Sequence, residues 1–158
     1  ASSDGVAGPV AARSEARSTL RTGTPKRPVD IGRLVGAARQ GGKLVREAKS
    51  RWNIGLVYLQ TGSYAKAREN LEVSLDCHLQ LFGTDARAYT SETLLAIAGV
   101  REKLGDCHAA GPWHVFVHDH YGEARRLLAT VAPEEASEDI TEMLARVEDK
   151  LRSPASHA

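Results

Sequence analysis

The sequence predicts an all-α fold, and three observations predict it. Apolar residues recur three and four positions apart through most of the chain beyond residue 30. Glycine-centred breaks cut those stretches into helix lengths, and no segment alternates polar and apolar residues for long enough to make a confident strand. Val115-Phe116-Val117 alone has the composition of a short one. With 158 residues, the chain has material for one ordinary core rather than two large ones.

The elements follow in order. Residues 1–28 are rich in Ala, Ser, Gly, Thr and Arg, contain Pro9, Pro25 and Pro28, and carry few large apolar side chains. They read as an extended basic arm that builds no core. Asp30 caps a short helix carrying Ile31, Leu34, Val35 and Ala38, which Gly41-Gly42 should end. A longer helix follows, with Leu44, Ala48, Trp52, Gly55 and Leu59 at helical spacing up to Thr61-Gly62. The next runs from about Tyr64 to Leu81, with Ala67, Leu71, Leu75 and Leu79 four apart. After the turn Phe82-Gly83-Thr84-Asp85, another is expected from about Ala86 to Leu104, ahead of Gly105. Residues 106–120 read as an irregular, histidine-rich insertion, and a short helix resumes from Tyr121 to Val131. Ser137 caps a last amphipathic helix with the face Ile140, Met143, Leu144, Val147 and Leu151. The organisation expected is thus an arm at 1–28, a helical domain at 29–132 with its insertion at 106–120, a C-terminal helix at 133–152 and a tail at 153–158.

Composition excludes several classes. The longest apolar run, Leu94 to Val100, falls far short of the ~20 residues of a membrane-spanning helix. Two cysteines, Cys77 and Cys107, build neither a disulfide framework nor the paired CxxC of a structural zinc site, so a reducing intracellular setting is expected. The first residue is Ala rather than Met, the expectation for a processed chain or a fragment. The Arg- and Ser-rich, acid-poor arm favours a mitochondrial location over a cytoplasmic or cytoskeletal one. Charge is polarised: residues 1–52 hold eleven Lys/Arg against four Asp/Glu, whereas the remainder holds ten against sixteen. The arm residues Arg13, Arg17, Arg21, Lys26 and Arg27 therefore suit an acidic protein surface, anionic lipid headgroups, RNA or, equally, the chain's own acidic body, and contact with RNA would be electrostatic and unspecific.

An internal repeat emerges when the glycines are aligned. Ile54-Gly55, Tyr58, Gly62, Tyr64, Ala67, Leu71 and Leu75 stand at the spacing of the tetratricopeptide repeat, which this segment resembles. The tail Leu75 to Asp85 is similar to the longer variety of that repeat found in kinesin light chains. Gly105 lies 43 positions after Gly62, with Ile97 and Ala98 near the places of Ile54 and Gly55. Arg101 stands where Tyr58 did, and Tyr121, Ala124 and Leu128 match Tyr64, Ala67 and Leu71 beyond the insertion. The resemblance covers about residues 48–132 as one clear and one interrupted copy. It implies antiparallel helix pairs, about two repeats, closed by the last helix as a cap.

The resemblance also implies a concave groove, formed by the first helices, that binds peptides or protein surfaces. Its positions here are Lys49, Trp52, Asn53, Leu56 and Gln60, then Glu92, Leu95, Gly99, Glu102 and Lys103. Trp52 and Leu56 occupy the places of the Lys and Asn clamp of chaperone-binding members, which disfavours a chaperone adaptor.

Catalytic chemistry has no anchor: GxGxxG, GxxxxGK, GxSxG and HExxH are all absent. Cys107-His108, His114 and His118-Asp119-His120 concentrate metal-ligating side chains, yet Gly111-Pro112 interrupts them. The preferred reading packs Trp113, Val115 and Phe116 against the body or a partner. The expectation is a non-catalytic protein–protein interaction module without cofactor or metal. It would serve as an accessory or assembly subunit of a larger complex, with other protein subunits as partners, no specific nucleic acid and no membrane span. A free-standing adaptor that binds peptide segments is the alternative, and a zinc-binding module the distant one.

Overall fold

The structure is a computed structural model that describes residues 28–153. Its order is helix α1 (Ile31–Gln60), α2 (Tyr64–Phe82), a 3-10 turn (Ala86–Ala88), α3 (Ser91–Ala110), a second 3-10 turn (His114–Phe116), α4 (Val117–Leu128) and α5 (Glu138–Arg152). There is no strand among the described residues, and Val115-Phe116-Val117 belongs to the second turn and the start of α4. The basic-arm residues Arg13, Arg17, Arg21, Lys26 and Arg27 lie outside the described residues.

The chain divides after Gly36 into two compact units. Of the first, residues 28–36 are described. Asp30 caps the helix as its sequence predicts, accepting from the Arg33 N–H at 3.0 Å, while Val29, Ile31, Leu34 and Val35 stand exposed.

The second unit, from Ala37, holds the core. Helix α1 runs through Gly41-Gly42, where the sequence predicts a break. Each glycine costs a helix interior about 1 kcal/mol relative to Ala, but stopping and restarting would forfeit the nucleation that α1 has already made. The true breaks are Gly62 and Gly83, whose φ of 78° and 73° leave the right-handed region. Helix α3 also departs from expectation at both ends. It starts at Ser91 because the Thr90 side chain accepts from the Thr93 N–H, and it continues through Gly105 to Ala110. Residues 106–120 are therefore largely helical: the end of α3, a turn and the start of α4.

Gly105 is small for a reason other than a helix end. A Cβ there would lie 2.5 Å from Tyr121 Cδ1, and Tyr121 is wholly buried on that spot. A Cβ on Gly55 would lie 2.8 Å from Leu71 Cγ. The same pattern of burial recurs in the two helix–turn–helix pairs: Gly55, Ala67 and Leu71 in the first, Ala98, Ala124 and Leu128 in the second. The fold thus has helical-repeat character. Ser74 Oγ donates to the Ala48 carbonyl at 2.8 Å and ties α2 to α1. Ser137 caps α5, whose Ile140 and Val147 are buried in the common core.

Candidate binding groove

One concavity of about 510 Å³ lies between α1, α2, α3 and α5. Trp52 from α1 and Met143 from α5 converge over Gly99 of α3, where a Cβ would stand 3.7 Å from Trp52 Cη2 and from Met143 Cε. Gly99 is thus the low point of an apolar floor that Val45 and Leu95 extend. Its wall comes from the end of α2, through His78, Leu81 and Phe82. Burial lowers the His78 pKa, so this ring faces the groove uncharged at neutral pH.

The polar rim is built by an ion cluster that joins α3 to α5. Glu102 is 1% exposed, and its carboxylate accepts from Arg146 Nε at 2.6 Å, Arg146 Nη2 at 2.9 Å and Lys150 Nζ at 2.7 Å. Lys150 also donates to Asp106 at 2.9 Å, and the Tyr121 hydroxyl donates to Asp106 at 2.6 Å. Burial alone would raise the Glu102 pKa, but the hydrogen bonds from Arg146 and Lys150 outweigh it and hold the carboxyl at about 2.

Of the predicted groove positions, the structure gathers Lys49, Trp52, Leu95, Gly99, Glu102 and Lys103 into this concavity. Asn53 instead lies exposed in a shallow hollow with Ile54, Val57 and Tyr58, while Gln60 and Glu92 are exposed and Leu56 is half-buried, all outside the groove lining. Glu102 reaches the groove only as an anion already claimed by its cations. Sequence reasoning missed the α2 wall and the α5 contribution. A signal for the latter exists: Arg146 and Lys150 sit four apart on α5, as Glu102 and Asp106 do on α3.

The histidine-rich stretch forms a packed cluster. His108 on α3 is buried, its ring centroid 4.7 Å from that of His120, 5.8 Å from Phe116 and 5.9 Å from Trp113. Its Nδ1 lies 3.2 Å from the Trp113 carbonyl, and the Arg68 guanidinium covers Trp113 at 4.2 Å. Desolvation, followed by the neighbouring His108 and Arg101, pushes His120 down to about 4. His114 and His118 point elsewhere and are exposed; so are Val115 and Phe116, whereas Trp113 packs on the body. No group of three or more His, Cys, Asp or Glu among the described residues is placed to hold a metal ion. Cys107 is buried in the core, and burial followed by the Asp106 charge pushes its thiol up to about 12, far from a reactive thiolate.

No protein-family model, curated protein or solved structure matches this chain. No helix among the described residues is long and apolar enough to cross a membrane.

Proposed function

We propose that this chain is a non-catalytic protein–protein interaction module of tetratricopeptide-like construction, serving as an accessory or assembly subunit of a larger multiprotein complex. One observation carries the reading: the groove over Gly99 is open and apolar at its floor, a surface on which a helical scaffold can receive apolar side chains of a partner. The repeated burial of Gly55, Ala67 and Leu71 against Ala98, Ala124 and Leu128 supports the tetratricopeptide likeness. The packing of Ile140 and Val147 supports α5 as a cap. The acids at the groove's edge serve the fold: Glu102 with Arg146 and Lys150, and Asp106 behind it with Lys150 and Tyr121, join α3 to its neighbouring helices.

The experiment is isolation of the tagged chain from its native cells in three forms: unaltered, lacking residues 1–28, and with Leu95→Asp, which sets a charge on the groove floor. For a subunit, fixed-ratio partner chains accompany the unaltered form and both changes reduce them. For the alternative, a free-standing adaptor, Leu95→Asp alone abolishes capture and the arm is dispensable. Partners that ignore Leu95→Asp in a chain of unchanged circular dichroism would overturn the groove as the binding face.

A further inference from the structure

Taking the groove as the partner-binding face, we infer that its occupant is an amphipathic helix of another protein whose apolar stripe is flanked by Asp or Glu. The floor asks for apolar anchors, and the rim sets the charge beside them. Three cations line the groove, Lys49, Lys103 and Arg146, against one carboxylate, Glu102. That carboxylate is buried, and both its oxygens are taken by Arg146 and Lys150. Lys49 is exposed and has no ion-pair partner among the described residues. Lys103 pairs at 3.5 Å with Asp106, an acid already bound by Lys150 and Tyr121. Arg146 keeps 48% of its side chain in water. Glu142 on α5 bears on Arg146 from outside the lining, but the lining itself offers an incoming segment positive charge with no unclaimed carboxylate, and acidic side chains beside its apolar stripe supply the complement.

Two basic segments of this chain fit the groove poorly on the same charge grounds. The exposed apolar residues Ile31, Leu34 and Val35 of α1 share their sequence with Arg33, Arg39, Lys43 and Arg46, so a second copy inserting this helix would set cation against cation. Residues 1–27 carry Arg13, Arg17, Arg21, Lys26 and Arg27 against Asp4 and Glu15, with the same result. The partner's backbone is helical because the walls are helices, whose own hydrogen bonds are closed. With no strand among the described residues there is no sheet edge to extend, and a segment laid on apolar walls must satisfy its own N–H and C=O groups.

The test is selection of the whole chain against a displayed library of random peptides, followed by synthesis of the enriched sequence. Its binding is then measured by anisotropy and by Trp52 fluorescence in a Trp113→Phe chain. The expected result is enrichment of apolar residues at helical spacing with Asp or Glu beside them. Binding should weaken at least about tenfold, or ~1.4 kcal/mol, in a Lys49→Glu, Lys103→Glu chain with unaltered circular dichroism, and fall with salt. Enrichment of neutral or basic peptides that shift Trp52 overturns the acidic partner while the interaction-module reading stands. A concentration-dependent dimer in sedimentation that masks Trp52 overturns it in favour of a second copy. Absence of any enriched peptide overturns it too, and with no fixed-ratio partners in the cellular isolation the module reading falls with it.

Discussion

A carboxylate withdrawn from water keeps its charge only where cations replace its hydration, and Glu102 meets that condition with three hydrogen bonds from two residues. Glu102→Ala leaves Lys150 buried beside Asp106 alone and strips Arg146 of its anchor. It should cost about 3–5 kcal/mol in urea unfolding, against a fraction of that for Arg126→Ala, whose pair with Glu123 is exposed. The glycines separate in the same experiment. Gly105→Ala drives a methyl into Tyr121 and should destabilise by about 1–3 kcal/mol. Gly42→Ala meets only the end of Arg46 at 3.5 Å and should stabilise by roughly 0.5–1 kcal/mol. The spacing of Gly55, Ala67 and Leu71 was legible in the sequence because small-against-large packing fixes residue types at fixed intervals. Gly105 was legible as special and misread as an end, since a glycine that ends a helix and one that admits a ring look alike until the ring is placed.

Among the elements, α3 carries the most: α4 packs on it through Tyr121 and the histidine cluster, α5 through the ion cluster. Both junctions weaken in acid, in sequence. His120, held at about 4 and ordinarily near 6.5, disfavours the charged form in the fold, so the unfolded chain binds its proton first. Stability should therefore be complete above about pH 6.5 and decline as the pH falls towards about 4. Glu102 then extends the loss from about 4.5 down to about 2 as its carboxylate is protonated. Thermal unfolding across that range should show the midpoint falling in both stages, and His120→Phe should shrink the first, to which the lowered His108 and His78 also contribute, while leaving the second in place. A midpoint flat between pH 7 and 4 would contradict the buried neutral pair. Most helix centres followed from apolar spacing, but six helices were expected where five are described, because α1 runs through Gly41-Gly42 as one helix and α3 likewise runs past Gly105. Local composition prices a glycine without revealing the tertiary contacts, such as Ala48 with Ser74, that keep a helix going. The contact between α3 and α5 joins residues 44 positions apart, beyond the reach of any local pattern.

At the scale of the whole molecule, the groove exists because Trp52 of α1 and Met143 of α5 meet over Gly99 of α3 while the end of α2 walls it. First-helix positions such as Trp52 and Leu95 could be read from a repeat, while Phe82, Met143 and Arg146 enter only through the packing of α2 and α5. The proposed joining of this surface to other subunits is checked by the mass of the native particle. The expected result is a particle of fixed composition, far heavier than the 17.0 kDa chain, that releases the chain when Leu95→Asp charges the groove floor. A 17.0 kDa monomer accompanied only by clients in less than fixed ratio would contradict it.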